Sequence, residues 1–190
     1  MSSIYDAILK RRSIRRFTDE KVPDELITKM INAARLAPSA GNMQPLHYVV
    51  VKSPTLRDEI FENTLWAGFV KPAGAPSFEK RPRLFVAVLC DTRIKKENYA
   101  EDAGLAIENM ILTALEENVG SCIIGALNKE EISRILNIPA YYILDCVIGF
   151  GYPAHRCDCF DDSNNIKYFM DENENFHVPK RPIEDIMTVL

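Results

Sequence analysis

The sequence of 190 residues lacks several familiar catalytic signatures. Neither G-x-G-x-x-G nor G-x-x-x-x-G-K-[ST] occurs, so neither a Rossmann dinucleotide site nor a P-loop has support. There is no G-x-S-x-G elbow, and no serine stands in a recognisable triad context. The three histidines, His47, His155 and His177, are too scattered for metal-ligand spacing. We therefore predict no catalytic side chain and no metal site, and we expect a cofactor to carry the chemistry.

Long apolar runs and close cysteine pairs are also scarce. No uncharged apolar stretch is long enough to span a membrane, and the N-terminus has no apolar core of signal-peptide length. We therefore expect a cytoplasmic protein without membrane contact. Only Cys157 and Cys159 lie close together among the five cysteines, and their spacing is not the C-x-x-C of metal or redox sites. The sequence assigns no role to this pair.

Positive charge is scarce overall but concentrated at one place. There are 23 Lys and Arg against 27 Asp and Glu, a balance that argues against nucleic-acid binding. Residues 11–16, R-R-S-I-R-R, nevertheless contain four arginines, and Lys180-Arg181 follows far downstream. Guanidinium groups donate paired hydrogen bonds to phosphate oxygens. We interpret the cluster as a site for one small anionic ligand; a solvated basic face and a nucleic-acid-binding arm are the alternatives.

Apolar periodicity predicts alternating helices and strands in a single domain, residues 1–190. Ser3 with Asp6 predicts a capped first helix, and Pro23 opens a second. The longest predicted helix spans Glu97 to Glu117. Strands are predicted at 47–51, 84–90, 121–126 and 141–150. The second of these is apolar throughout, which is typical of a strand buried on both faces.

The C-terminal part of the chain differs in character. Residues 154–165 are polar and are predicted to be a loop, whereas 167–170 and 176–178 flank an acidic turn and predict a hairpin. Pro182 is predicted to begin a last short helix. This terminal segment has little core of its own, so we expect residues from about 166 to 190 to dock on a partner subunit. Residues 67–80, rich in glycine and proline, are the predicted mobile lid.

Four segments resemble, in order and spacing, the FMN-dependent nitroreductase family. They are Ile8 to Phe17 with R-R-S-I-R-R, Ala33 to Pro45 with A-P-S-A-G-N-M-Q-P, Asp102 to Gly125, and Gly149 to Pro153 followed by Val178 to Pro182. The resemblance implies an α+β fold with a mostly antiparallel central sheet flanked by helices. It also implies an intertwined homodimer with FMN at the subunit interface.

The resemblance further implies where the cofactor binds. At its phosphate and ribityl end it places Arg11, Arg12 and Ser13, completed by Lys180 or Arg181. Around the flavin ring it places Arg15, Pro38, Ser39, Asn42, Gln44, Ile124 and Gly125, with residues 38–44 coming from the other subunit. Arg15 would stabilise the anionic reduced ring, and Ile124 and Gly125 would offer backbone N–H groups to it. Asn42 and Gln44 could instead only satisfy turn backbone groups, and Gly125 could be only a strand glycine.

The implied activity is that of an NAD(P)H oxidoreductase. NADH or NADPH would give hydride to flavin N5 and leave, and a nitroaromatic or quinone would then take the electrons in a ping-pong cycle. The chain resembles a short family member, because Leu46 follows Gln44-Pro45 where an aromatic residue is common, and residues 65–83 are compact. These departures leave the acceptor open. A non-catalytic flavin-binding or flavin-storage protein is the alternative.

Overall fold

A computed structural model describes residues 3–190 of the chain. The helices in this range are α1 (Ile4–Lys10), α2 (Asp24–Arg35), α3 (Pro54–Glu62), α4 (Ala100–Glu116) and α5 (Lys129–Ile135). The strands are β1 (Leu46–Val51), β2 (Leu84–Asp91), β3 (Gly120–Ile124), β4 (Tyr142–Gly151), β5 (Cys157–Asp161), β6 (Phe169–Met170) and β7 (Phe176–Lys180). None of the helices in residues 3–190 is long and apolar enough to cross a bilayer.

The central sheet has the strand order β1-β2-β4-β3, and every neighbouring pair in it is antiparallel. All residues of β2 are buried, as its continuous apolar sequence predicts. Alternate side chains of a strand point to opposite faces. Leu84, Val86 and Val88 accordingly pack in the core beneath α2 and α4, while Phe85 and Ala87 join the core on the other face. The predicted α+β architecture is confirmed.

Local capping explains where several helices begin and end. Ser3 Oγ accepts a hydrogen bond from Asp6 N, and Asp6 accepts one from Ser3 N, so the predicted capping box of α1 is confirmed. The longest helix, α4, begins at Ala100 rather than Glu97, because Asn98 has the left-handed φ of 56°. Asn118 (φ 60°) and Asn137 (φ 50°) end α4 and α5 in the same conformation.

The C-terminal region departs from two sequence predictions. Residues 157–161 form a strand instead of a loop, because β5 pairs in parallel with β7. The predicted hairpin is confirmed, since β6 pairs antiparallel with β7 and completes a three-stranded sheet. The predicted terminal helix is reduced to one 3-10 turn, Ile183–Asp185. Its apolar side chains are exposed in the single chain, and a short helix without packing is marginal in water.

The arginine segment, residues 11–17, is an extended arm that lies against the edge of β3. Ile14 N donates to Ser121 O at 2.8 Å, and Phe17 N donates to Lys80 O at 2.9 Å. Glycines permit this close approach: a Cβ added at Gly120 would lie 2.6 Å from Ile14, and one at Gly151 would lie 2.9 Å from Phe17. The arm therefore holds a fixed path beside the sheet.

The predicted lid, residues 67–80, is folded against this arm. Its two ends carry 3-10 turns, Gly68–Val70 and Phe78–Lys80. Ala67 and Gly74 are buried against each other, and Arg16 donates to Ala73 O at 2.9 Å. The segment is thus tied to the arm through a buried guanidinium.

Candidate functional site

Two cavities lie beside α4, one near each half of the helix. The apolar cavity, of about 340 Å³, is bordered on α4 by Asp102 and Ala106. The basic cavity, of about 430 Å³, is bordered on α4 by Ile111 and Leu115. Because an α-helix rises about 1.5 Å per residue, these two pairs of residues are roughly 14 Å apart along the axis. The residues predicted to bind cofactor therefore fall into two separate groups within one chain.

The basic cavity brings Arg11 and Arg12 together. Arg11 Nε lies 3.4 Å from Glu108 Oε1, while the Arg12 guanidinium contacts Arg11 O and Cys159 Sγ and leaves its Nε unpaired. Lys10 and Arg156 add two more cations to the wall, against the single carboxylate of Asp158. The cavity wall therefore carries a net positive charge, which suits an anionic ligand.

Three other residues predicted at the phosphate end lie outside this wall. Ser13 forms a β-bridge with Ser121, which itself borders the cavity. Lys180 ends β7 opposite Asp161, and the Arg181 guanidinium donates to Asp185 O. Lys180 and Arg181 thus do not border the basic cavity of the single chain.

The imidazole ring of His155 borders the basic cavity and has unsatisfied hydrogen-bonding groups. Within the described residues, both of its ring nitrogens are buried and neither makes a hydrogen bond of good geometry, although the Arg16 backbone lies close enough to interact with the ring. Burial lowers the pKa of His155 to about 4, so the ring is neutral near pH 7. A neutral imidazole has one donor and one acceptor nitrogen. Leaving both unsatisfied is costly, which indicates a polar occupant for the cavity.

Arg15 and Arg16, the other two arginines of the arm, border neither of these cavities. The Arg15 guanidinium lies over the rings of Tyr168 and Phe176, 4.7 and 4.8 Å from their centroids. Arg16 is 2% exposed, and its Nε lies 3.1 Å from Glu174 Oε1. Both side chains therefore hold the C-terminal sheet against the arm. Arg15, which is predicted to lie beside a flavin ring, borders neither of the two cavities.

The apolar cavity contains part of the second predicted group. Pro38, Ser39 and Gln44 border it, whereas Asn42 does not. Ser39 Oγ accepts a hydrogen bond from Gln44 N at 3.0 Å, and Gln44 Nε2 donates to Asn42 O at 3.2 Å. These polar side chains thus satisfy the backbone of their own turn in the single chain. Pro45 and Leu46 continue the wall with apolar surface.

Ile124 and Gly125 lie at the end of β3, outside the walls of both cavities. Ile124 is buried in the core, whereas Gly125 is exposed and a Cβ added there would meet no atom within 4 Å. The space beside Gly125 is therefore open in the single chain.

Among the wall residues that sequence reasoning did not assign to a site are Asp102, His155 and Arg156. Asp102 could have been found, because it precedes Ala106 and Met110 at intervals of four on the buried face of α4, where a carboxylate is unexpected. His155 and Arg156 follow β4, in residues 154–165, which the sequence predicted to be a polar loop. Nothing in their spacing marks them as cavity residues.

Comparison with known proteins identifies the family. Residues 8–152 match the nitroreductase family. A protein from Archaeoglobus fulgidus named as an NADH dehydrogenase/NAD(P)H nitroreductase is 31% identical over 85% of this chain and 91% of its own length. Iodotyrosine deiodinase 1 of Sus scrofa is 43% identical, over 98% of this chain and 68% of its own.

A solved structure supports the same relationship. A nitroreductase from Desulfovibrio desulfuricans, crystallised in complex with FMN, is 28% identical and has a TM-score of 0.65. The match covers 81% of this chain and 88% of that one. The arginine arm, the 38–45 loop and β3 all lie inside the matched residues 8–152. The chain therefore belongs to the nitroreductase family.

Proposed function

We propose that the chain is an FMN-dependent NAD(P)H oxidoreductase. The observation that carries the proposal is the basic cavity, whose wall contains Arg11, Arg12 and Arg156 together with the buried ring of His155. Its cations match a phosphate group, and the neutral imidazole can exchange hydrogen bonds with a ribityl hydroxyl or a phosphate oxygen. The related nitroreductase structure that holds FMN, and the relative named for NAD(P)H, support this assignment.

A homodimer explains why one chain carries the two groups of residues apart. A two-fold axis can place the apolar cavity of one subunit beside the basic cavity of the other, so that each complete site uses both chains. Exposed apolar side chains near the two ends of the chain fit such an interface. They are Ile4, Tyr5, Ile8 and Leu9 of α1 and Ile183, Ile186, Met187, Val189 and Leu190 at the C-terminus.

The residues of the chain have binding and orienting roles in this proposal. When bound, FMN would supply two-electron redox chemistry between NADH or NADPH and a small electron-poor acceptor, in a ping-pong cycle. Arg11 and Arg12 fix the phosphate end, and residues 38–44 cover the ring with apolar surface. Burial raises the pKa of Tyr48, in the apolar cavity, to about 12, so its phenol stays protonated and neutral.

The acceptor is proposed only as a class, namely small electron-poor organic molecules such as nitroaromatics or quinones. The names of the two relatives point to different acceptors, a nitro compound for one and an iodotyrosine for the other. The nature of the acceptor therefore has to be measured on this protein.

The decisive experiment is a visible spectrum of the purified protein with mass identification of the released cofactor. Stopped-flow mixing of the FMN-loaded protein with NADH or NADPH should then bleach the flavin absorbance, and adding a nitroaromatic or a quinone should restore it. A colourless protein that does not take up FMN refutes the proposal. Bound flavin that neither nucleotide reduces supports a flavin-storage protein instead.

A further inference from the structure

The loop that carries Ser39 and Gln44 has an unfavourable backbone conformation. Gly41, Asn42 and Gln44 have φ values of 62°, 54° and 51°. Residues other than glycine rarely adopt this left-handed region. Gln44 also precedes Pro45, a position that favours extended backbone. Such a loop keeps its shape only when contacts with the rest of the protein hold it.

Asp102, in the first turn of α4, makes the contact that holds this loop. Its Oδ1 accepts a hydrogen bond from Ala40 N at 2.9 Å. The other hydrogen bonds of residues 38–44 are internal: Gln44 N donates to Ser39 Oγ, Asn42 N to Ser39 O, Met43 N to Ala40 O, and Gln44 Nε2 to Asn42 O. Over the part of the chain that the structure describes, Ala40 N to Asp102 is the one hydrogen bond that joins residues 38–44 to another element.

The second oxygen of Asp102 is also engaged. Lys95 Nζ lies 2.8 Å from Asp102 Oδ2, and the two side chains are 12% and 4% exposed. Lys95 is itself fixed by its N–H, which donates to Asp91 O at 3.0 Å. The hydrogen bond from Lys95 and that from Ala40 N keep the pKa of Asp102 below its usual value. The loop is therefore held by a charged acceptor, which binds an N–H more strongly than a neutral one.

We propose that Asp102 is a positioning residue for cofactor binding, acting on the loop through Ala40. Its two oxygens accept from Ala40 N and Lys95 Nζ, and in this role it holds Pro38, Ser39 and Gln44 in the cavity wall. The inference rests on the proposed function only for the identity of that ligand, FMN. The hydrogen bond from Ala40 N to Asp102, which we call the loop anchor, can be tested without any cofactor.

Three variants distinguish the hydrogen bond from Ala40 N to Asp102 from the ion pair of Asp102 with Lys95 and from the negative charge of the first turn of α4. Asp102→Ala removes the acceptor for Ala40 N. The double variant Lys95→Met/Asp102→Asn removes both charges but keeps an oxygen acceptor, and it avoids placing an amide NH₂ against an ammonium group. Glu101→Ala is the matched control, because Glu101 is an exposed neighbour in the same first turn of α4, and among the described residues it makes no hydrogen bond to residues 38–44.

The first measurement is the hydrogen-exchange rate of the Ala40 amide in the cofactor-free full-length chain. We expect Asp102→Ala to speed this exchange at least about tenfold, while the double variant and Glu101→Ala stay within about threefold of wild type. The second measurement is FMN affinity by fluorescence titration. The Kd should rise roughly tenfold to a hundredfold in Asp102→Ala and change little in the other two variants.

The outcomes distinguish the two proposals. A wild-type chain that does not bind FMN refutes the proposed function, but the exchange of Ala40 still tests the anchor. Unchanged Ala40 exchange in Asp102→Ala overturns the anchor, and so does an equal loss of FMN affinity in Asp102→Ala and Glu101→Ala. If Asp102→Ala does not fold, the double variant decides: fast Ala40 exchange with the acceptor retained overturns the proposal, and retained protection supports it.

Discussion

The four arginines of residues 11–16 have the same chemistry but two kinds of surroundings. Arg11 and Arg12 border the basic cavity, whereas Arg15 and Arg16 are packed against aromatic rings and Glu174. A guanidinium group can bind phosphate or lie flat on an aromatic ring, and the residue type does not say which. The partners that decide the matter are Phe176, in strand β7, and Tyr168, just before strand β6, about 150 residues later in the chain.

Arg156 and Lys180 can be compared directly as phosphate ligands. Arg156 borders the basic cavity, while Lys180, which the family resemblance implies, lies outside its wall. We expect Arg156→Ala to raise the Kd for FMN roughly tenfold or more, because a hydrogen bond to a charged group contributes about 1.5–3 kcal/mol. We expect a change within about threefold for Lys180→Ala, since an exposed cation outside the cavity contributes little. Fluorescence titration of FMN with both variants and with Arg11→Ala checks this. A larger increase in Kd for Lys180→Ala than for Arg156→Ala would mean that Lys180, rather than Arg156, is the phosphate ligand.

At the scale of the elements, the three-stranded sheet β5-β7-β6 contains a charged network that depends on pH. In β7, His177 Nδ1 lies 2.9 Å from Asp158 Oδ1, and its Nε2 lies 3.2 Å from Asp171 Oδ2. Both nitrogens can donate only when the ring is protonated. The hydrogen bond to Asp171, followed by that to Asp158, raises the pKa of His177. The Asn175 backbone N–H, aided by His177, lowers the pKa of Asp171 to about 2.

These shifts predict that the sheet weakens as the pH rises. The raised pKa of His177 contributes stability that is complete below the ordinary histidine pKa of about 6.5 and is lost as the pH rises through the folded value. Asp171 stays ionised across this range. Amide exchange in residues 157–180, corrected for its intrinsic pH dependence, should therefore accelerate from about pH 6.5 upward. His177→Gln should abolish this acceleration, and equal pH slopes in the two proteins would contradict the prediction.

The elements also show what the sequence could predict. Those fixed by local rules were predicted correctly: the Ser3–Asp6 capping box, the buried strand β2 and the β6–β7 hairpin. Strand β5 was not, because its residues are polar and become a strand only by pairing with β7, about 19 residues later. The role of Asp102 depends on a contact with Ala40 across 62 residues, which no local pattern specifies.

At the scale of the whole molecule, α4 packs in the core of the chain and also presents an exposed face on which a second subunit could pack. One face of the helix is buried against α2 and the central sheet through Ala103, Ile107 and Met110. On another face, Gly104 is exposed with no atom within 4 Å of an added Cβ, and Leu105 beside it is 49% exposed. A glycine is unfavourable inside a helix by about 1 kcal/mol relative to alanine. A second subunit that packs closely on this face of α4 would explain why a glycine stands at position 104.

A pair of substitutions at Gly104 tests whether that face meets a partner. Gly104→Leu fits the single chain, because the space around the position is open, but its bulk should block a closely packed subunit. We expect this variant to sediment as a folded monomer and to lose FMN, since each proposed site needs residues from both chains. Gly104→Ala is the matched control: it adds one methyl group, favours the helix by about 1 kcal/mol, and should remain a dimer with FMN. A Gly104→Leu protein that stays a yellow dimer in sedimentation would show that the interface does not lie on this face of α4. If the variant instead loses both the dimer and FMN, the complete binding site requires both subunits.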